Sequence, residues 1–330
     1  MFPRLIVLLT VVLVTPSFGE APPSSESLRA AVRRAIPYVE REGLAWMEKQ
    51  ECVSCHRIGN MVWSLTTARE RGFPIDDRLN DWLQWSINSS LETNDKDQIV
   101  GTLNREGVAQ LVFAQLRNSS TADGAPNENP LVDLLLTGQQ PDGRWKASGQ
   151  LPFQKREKEE TDAVSTMWIA TAIAATQPAG AQKVLDSAKE FLSTQNPGQS
   201  TEWYTTRLLL ADSLNDFETI AAMTETLRSQ QNVNGGWGWI VGAESDALGT
   251  GLAMDALLRT GLPTSDKTIV SAQRFLLDTQ REDGTWAVRG TKSKKQENVE
   301  ETAVYWGTAW AVLALSESLP QSREQLDSSE

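Results

Sequence analysis

The sequence predicts an all-α fold, namely an α/α toroid in which about six helical hairpins close into a ring. Three observations support this prediction. A seven-residue pattern recurs three times, stretches with helical periodicity flank each copy, and alternating patterns typical of strands are nearly absent.

The recurring pattern is Gln-x-x-Asp/Asn-Gly-x-Trp, and it occupies residues 139–145, 231–237 and 280–286. A leucine precedes each glutamine by four positions, at Leu135, Leu227 and Leu276, as expected for the buried side of a helix that ends there. Asp-Gly or Asn-Gly then favours a turn. Each copy therefore marks the end of one helix and a turn into the next.

Stretches rich in alanine and other small or apolar residues follow the turns, at 163–175, 247–258 and 303–315. Their small side chains favour close helix packing, so we assign them to an inner ring and the more polar helices to an outer one. Weaker copies lie at 28–72, 79–118 and 181–214, which brings the number of hairpins to six. The expected N-caps are Thr161 or Asp162, Ser245 or Asp246, and Thr302.

Over roughly residues 28–320, these repeats resemble the QW motifs of squalene-hopene cyclases and of related prenyltransferase-type α/α toroids. The resemblance implies that the glutamine and tryptophan of each motif are structural and tie a helix end to the next turn. The residues concerned are Gln139, Trp145, Gln231, Trp237, Gln280 and Trp286.

The chain departs from that group in its catalytic residues. Squalene-hopene cyclases protonate an alkene with an Asp-x-Asp-Asp motif, and this sequence has none. Asp76 and Asp77 follow Pro74 in a turn-like stretch, which favours a cap or a solvated loop. The Asp, Cys and His zinc site of protein prenyltransferases cannot be mapped either, because the chain has a single histidine.

That histidine lies in the motif Cys52-Val53-Ser54-Cys55-His56, which also contains both cysteines of the chain. A Cys-x-x-Cys-His run is typical of haem c, in which two thioethers hold the porphyrin and the imidazole is the proximal iron ligand. A redox dithiol, a disulfide, or a zinc site completed by a carboxylate would use the same atoms. Neither the dithiol nor the disulfide needs His56, so the motif favours covalent haem.

The motif also has a defined place in the repeat. Six positions separate glutamine from tryptophan in each strong copy, and six positions separate Gln50 from His56. Trp46 stands four before Gln50, where the other copies have leucine. The motif therefore replaces a turn of the first hairpin, and this combination resembles exported cytochrome-like proteins whose toroid repeats carry a Cys-x-x-Cys-His turn.

Candidates for the distal iron ligand are Met167 or Met254 on inner stretches, with Met223 less favoured and Met61 too close to His56. Core packing is the competing interpretation of each methionine. Trp63, Trp82 and Trp85 either shield a porphyrin or pack in the core. A single histidine excludes bis-histidine ligation within the chain and a peroxidase with a distal histidine.

Residues 1–19 read as a secretory signal peptide, because Arg4 is followed by a short apolar run and then by small residues. The predicted organisation is a signal peptide at 1–19, one toroid domain at 20–320 with the haem motif in its first repeat, and a polar tail at 321–330. We therefore expect an exported protein, periplasmic or extracellular. No later segment is apolar enough for a transmembrane helix.

The formal net charge of −12 argues against nucleic acid and anionic membranes as partners and suits a redox partner with a basic face. The charged segments 155–160 and 292–301 read as solvated loops on one rim. The acidic residues near this rim read as helix caps, or else as acid and base at the mouth of a central pocket. They are Glu160, Asp162, Asp246 and Glu301.

Three functions remain open on this evidence. The first is an exported haem-c protein that serves electron transfer or haem-based redox chemistry with a partner protein. The second is a scaffold that binds a hydrophobic small molecule in its cavity, with Cys52 and Cys55 as a disulfide. The third is a terpene-type cyclase, which the missing acid motif disfavours.

Overall fold

The computed structural model describes residues 21–50, 56–119, 129–149, 151–295 and 297–321. These ranges contain twelve α-helices, two short 3-10 helices and isolated β-bridges, but no strand, which confirms the all-α prediction. The predicted signal peptide, Cys52, Cys55 and nearly all of the predicted tail lie outside the described residues. Within these ranges no helix has the length and apolar character required to cross a bilayer.

In chain order the helices are α1 (Ser25–Gln50), α2 (His56–Glu70), α3 (Leu79–Leu91), α4 (Arg105–Ser119), α5 (Pro130–Leu136), α6 (Lys158–Thr176), α7 (Ala181–Ser193), α8 (Thr201–Ser213), α9 (Phe217–Gln230), α10 (Ala247–Arg259), α11 (Lys267–Thr279) and α12 (Glu301–Glu317). The 3-10 helices are Val100–Leu103 and Leu151–Phe153. Each predicted hairpin corresponds to one odd-numbered helix and the even-numbered helix after it.

The even-numbered helices form a closed inner ring. Each packs on the next, from α2 through α4, α6, α8 and α10 to α12, and α12 packs again on α2. The odd-numbered helices lie outside. Helices α3, α5, α7, α9 and α11 each pack on the inner helix that precedes them in the chain, and α1 packs on α2, α11 and α12. Six helical hairpins therefore close into a toroid, as the sequence predicts.

Burial separates the two layers. The inner helices α10 and α12 are buried around nearly their whole circumference, whereas the outer helix α7 buries only one stripe. That stripe consists of Ala181, Leu185, Ala188 and Leu192, spaced three or four residues apart as on one face of a helix. Small residues bring the inner helices together: a Cβ at Gly251 of α10 would lie 2.8 Å from the backbone of Trp310 in α12.

The three strong repeats are held by the same hydrogen bonds. The indole of Trp145 donates to the Leu135 carbonyl at 2.7 Å, and Trp237 and Trp286 donate to Leu227 and Leu276 at 2.8 Å each. Each tryptophan thereby satisfies a carbonyl in the last turn of an outer helix, which has no partner within the helix. The predicted structural role of the three tryptophans is confirmed.

The glutamines connect neighbouring hairpins. Each side-chain amide donates to the glycine carbonyl of its own turn and to a carbonyl in the next outer helix. The second acceptor is Val184 for Gln139, Thr268 for Gln231 and Ala31 for Gln280. Each motif therefore joins two outer helices, whereas the sequence predicts a tie only between one helix end and the next turn.

Only one of the three N-cap predictions is correct. Asp246 caps α10, where its Oδ1 accepts the Gly249 amide at 2.7 Å. Helix α6 begins at Lys158, one turn earlier than expected, so Thr161 and Asp162 are buried inside it. Helix α12 begins at Glu301 with Glu300 as its cap, which leaves Thr302 in the first turn.

An aromatic cluster fills the middle of the ring. Trp63 of α2, Phe113 of α4, Trp168 of α6 and Trp310 of α12 come from four inner helices, and all four are buried. The ring centroid of Trp63 lies 5.3 Å from that of Trp310, 6.1 Å from that of Trp168 and 5.2 Å from that of Phe113. Such spacing is that of directly packed rings, so aromatic side chains occupy the axis at this level.

Candidate functional site

The Cys-x-x-Cys-His motif spans the connection from outer helix α1 to inner helix α2. Helix α1 ends at Gln50 and α2 begins at His56, and the five residues between them lie outside the described residues. His56 is the first residue of inner helix α2. Nothing in the described residues tests whether Cys52, Cys55 and His56 bind haem, so that assignment stays a prediction.

Arg57, the next residue, is held on three sides. Its guanidinium lies over the rings of Trp46 and Tyr305, 4.8 and 4.9 Å from their centroids. It also forms an ion pair with Glu301, the first residue of α12. The Arg57 side chain is only 5% exposed, whereas that of Glu301 is 59% exposed. Because a buried cation is stable only when it is paired, these contacts fix the start of α2.

Tyr305 also contacts the backbone at this junction. Its hydroxyl lies 3.2 Å from the carbonyl oxygens of Val39 in α1 and Arg57 in α2, and it donates to these acceptors. Tyr38 packs against Tyr305 with ring centroids 6.1 Å apart. Burial, together with the nearby carboxylate of Glu301, raises the pKa of Tyr38 to about 12. Three helices therefore meet at this point in fixed positions.

The methionines considered as distal ligands lie in packed surroundings. Met167 and Met254 have no exposed surface, and the Thr206 hydroxyl lies 3.8 Å from the Met167 sulfur. Met61 is also buried, with its sulfur against Gly43 of α1. Met223 is a half-buried residue of outer helix α9. Met167 or Met254 would reach iron only if a porphyrin entered the packed ring, and their assignment stays a prediction.

Two loops meet across the mouth of the ring. The backbone amide of Lys155 donates to the Thr291 carbonyl at 2.7 Å, and Gln154 and Lys292 form a β-bridge. One loop leads into α6 and the other into α12, which are opposite each other in the ring. The prediction that segments 155–160 and 292–301 share one rim is confirmed.

The solvated character predicted for these segments is wrong for Arg156 and Glu160. The Arg156 side chain has no exposed surface and donates to Glu202 of α8 at 2.8 Å. Glu160 is 8% exposed and accepts the amides of Gln199 and Ser200 at 3.0 and 2.8 Å. Partners brought by a distant part of the chain allow these charges to be buried, and no local charge pattern reveals such partners.

A second carboxylate lies close to this ion pair. Glu106 of α4 is buried and accepts the Ser165 hydroxyl at 2.6 Å, while Glu202 also accepts the Trp168 indole at 3.1 Å. Burial raises the pKa of Glu106 to about 8, and the charge of Glu202 adds to the effect. Glu106 therefore holds its proton to higher pH than an ordinary glutamate does. No local sequence pattern singles out Glu106, Arg156 or Glu202.

The four carboxylates predicted at the rim all have structural partners. Asp246 is a cap, Glu160 holds the loop before α8, and Glu301 pairs with Arg57. Asp162 accepts the Ala147 amide at 2.8 Å. Asp76 accepts the amide and guanidinium of Arg78, which lowers its pKa to about 2. These contacts agree with helix capping and loop anchoring and give none of the five a free position for acid–base chemistry.

A groove of about 610 Å³ opens on the same rim beside the start of α10. Its walls include Trp239, Phe275 and Trp286 together with Lys155 and Asp246. Burial raises the pKa of Asp246 to about 6, although three backbone amides act in the opposite direction. The aromatic residues of the walls are at most 8% exposed. The groove therefore presents polar and apolar surface in similar amounts.

No protein-family model and no curated protein matches the sequence. Solved structures do match the fold. A type II terpene cyclase from Scytonema, in complex with geranylgeranyl dihydroxybenzoate, aligns over 89% of this chain and 98% of its own, with a TM-score of 0.52 and 14% identity. A family 88 glycosyl hydrolase from Bacteroides vulgatus covers 89% of this chain and 99% of its own, with a TM-score of 0.58 and 12% identity.

A polysaccharide lyase is similar to the same extent. It aligns over 89% of this chain and 97% of its own, with a TM-score of 0.55 and 10% identity. These structures include different kinds of enzyme, and at such identities a common fold does not carry a common activity. The comparisons show that the chain has the α/α-toroid fold.

Proposed function

We propose that the protein is an exported c-type haem protein that transfers electrons to or from a partner protein. The observation that carries the proposal is the concentration of both cysteines and the only histidine in Cys52–His56, between the end of α1 and the start of α2. A site next to the first residue of a packed inner helix suits a prosthetic group that must stay fixed and yet exchange electrons with another protein.

The residues at this junction fit haem c in their chemistry. Two thiols and an imidazole in this order are the groups that bind it covalently and through iron. The described surroundings add the rings of Trp46 and Tyr305 and the cation of Arg57. These groups hold the start of α2, and with it His56, in a fixed position beside the motif. Bound haem would supply a one-electron couple, and the protein fixes its orientation and surroundings.

The acidic chain supports a partner of opposite charge. The formal net charge is −12, and Arg4 is the only charged residue of 1–19, so loss of that segment would leave −13. Complementary charge accelerates the encounter of two proteins, and the acceleration decreases as salt is added. We therefore expect a partner with a basic docking face in the periplasm or outside the cell.

The other two functions have less support. A hydrophobic ligand or a terpene substrate needs free volume, and Trp63, Trp168 and Trp310 pack against one another on the axis. The scaffold hypothesis, with Cys52 and Cys55 as a disulfide, remains the alternative, and its ligand would bind outside this aromatic level. The terpene cyclase hypothesis is also disfavoured because this sequence has no Asp-x-Asp-Asp motif to supply the acid.

The deciding experiment is production in a host with a haem-c maturation system, followed by mass spectrometry and visible spectroscopy. We expect haem that survives acid–acetone extraction and a sharp α-band after reduction. Cys55→Ala should weaken attachment, and His56→Ala should remove the proximal ligand and change the spectrum. The double variant Cys52→Ala/Cys55→Ala, which should carry no haem, is the control.

A colourless protein that lacks added prosthetic mass and free thiols would contradict the proposal and support the scaffold. Unchanged absorbance and redox behaviour in His56→Ala would refute the ligand assignment alone.

A further inference from the structure

We infer that the Arg57 clamp, defined as Arg57 with Trp46, Tyr305 and Glu301, positions the proximal histidine and sets the reduction potential of the bound haem. The inference rests on the proposed function. It concerns residues that the motif itself does not include, and it assigns them a role as positioning residues.

The first step is geometric. Arg57 directly follows His56, so their Cα atoms are about 3.8 Å apart and share the first turn of α2. The Arg57 guanidinium is confined between two rings, at 4.8 and 4.9 Å, and its carbonyl oxygen lies 3.2 Å from the Tyr305 hydroxyl. A residue fixed through both its side chain and its backbone limits how far the backbone of its neighbour can shift.

The Arg57 clamp joins three helices. Trp46 belongs to α1, Arg57 to α2, and Tyr305 and Glu301 to α12. Helices α1 and α12 are far apart in sequence but adjacent in the closed ring. The clamp therefore couples the position of His56 to ring closure, which explains why the motif belongs to a toroid and not to a separate small domain.

The third step is electrostatic. Ferric haem carries one more positive charge than ferrous haem, so a nearby cation favours the ferrous state and raises the potential. Arg57 is 5% exposed and is poorly screened by water, whereas Glu301 offsets its charge from a position that is 59% exposed. Removing the cation and removing its counter-charge should therefore shift the potential in opposite directions.

The test is potentiometric titration of the natively matured holoprotein. Arg57→Gln should lower the midpoint potential and Glu301→Gln should raise it. Mass spectrometry should show that haem is still attached in both variants. Shifts of the same sign, or no shift in either variant, would overturn the inference, because loosening of the structure alone has no reason to reverse sign. Absence of haem from the wild-type protein would instead refute the proposed function, so the two failures are distinguishable.

Positioning is tested by a matched pair of hydroxyl deletions. Tyr305→Phe removes the hydroxyl that contacts the Arg57 carbonyl, and Tyr38→Phe removes a hydroxyl from the adjacent ring. We expect Tyr305→Phe to accelerate hydrogen exchange in the first turn of α2 and to alter the ferric spectrum, with the Tyr38→Phe protein close to wild type. Equal effects of the two variants would remove the positioning role.

Discussion

Gln280 donates its side-chain amide to the backbone carbonyl of Ala31 at 2.9 Å, which joins the last outer helix of the toroid to the first. The two residues are 249 positions apart. The same amide donates to the Gly284 carbonyl at 3.1 Å, and its oxygen accepts from the guanidinium of Arg34. One side chain therefore fixes a turn and closes the ring.

Replacement of this glutamine should weaken the closure. Gln280→Ala leaves the Ala31 and Gly284 carbonyls without these donors, and we expect a loss of about 1–3 kcal/mol in the free energy of unfolding, measured with urea. Gln182→Ala is the control, because Gln182 is exposed and donates only within α7, to Asp186 at 2.8 Å. Its change should stay within about 0.5 kcal/mol. Equal losses in the two variants would mean that the hydrogen bond between Gln280 and Ala31 contributes nothing specific to the stability of the ring.

The glycine of the same turn gives a second prediction. Gly284 has a φ of +83°, and a Cβ there would overlap the Arg34 carbonyl in α1. Gly261 has a φ of +93° with open space around its Cβ position. Gly261→Ala should therefore cost about 1 kcal/mol for the backbone conformation alone. Gly284→Ala should cost about 1–3 kcal/mol more, because helix α1 must also move.

Thermal and urea unfolding of the two alanine variants measure this difference. Similar losses at Gly261 and Gly284 would show that contact with α1 does not constrain the turn.

The ring could be predicted because the information for each hairpin is local. Gln280, Gly284 and Trp286 stand within seven residues, and the leucine that accepts the tryptophan bond is four positions upstream. Counting such units gives the number of hairpins, and a closed ring satisfies them all. The start of α6 was misplaced because Lys158, Glu159 and Glu160 read as loop charges although they form its first turn.

The buried polar groups could not be predicted for the opposite reason. Glu106, Arg156 and Glu202 come from three successive hairpins and meet only when those hairpins pack together. The position of Arg57 next to His56 was the one sequence feature that pointed to it. Its partners Trp46 and Tyr305 belong to two different helices and could not be predicted. Long-range contacts of this kind leave no spacing in the sequence.

Glu106 predicts a pH-dependent stability. Burial first, and then the charge of Glu202, raise its pKa from 4.5 to about 8, while Arg156 and Ser165 oppose the shift. Between those values the folded protein holds a proton that the unfolded chain has released, so stability falls as the pH rises through this window. Glu106→Gln should abolish this fall and should be more stable than wild type at the alkaline end. Urea unfolding from about pH 5 to about pH 9 measures how the free energy of unfolding changes with pH in both proteins.

Glu202→Gln is the matched control, because it removes a buried carboxylate from the same cluster. It should destabilise the protein by about 3–5 kcal/mol at neutral pH, since Arg156 would lose its ion-pair partner. A wild-type profile that is flat between pH 5 and pH 8 would contradict the raised pKa.

The aromatic axis gives the last prediction. Trp310 is 2% exposed and packs on Trp63 and Trp168, and within the described residues its indole nitrogen has no hydrogen-bond acceptor. Trp310→Ala should therefore remove packing alone, at a cost of about 3–5 kcal/mol, and leave a dry apolar cavity. Trp85→Ala on outer helix α3, where the side chain is half-buried, should cost less.

Added indole should restore part of the lost thermal stability to Trp310→Ala, because a ligand that binds only the folded state shifts unfolding to higher temperature. Indole should have no such effect on the wild-type protein or on Trp85→Ala. If indole stabilised the wild-type protein as strongly, the axis would already contain room for a hydrophobic ligand. That outcome would favour the scaffold or cyclase hypotheses over a ring whose centre serves only as a packed support for the haem motif at its rim.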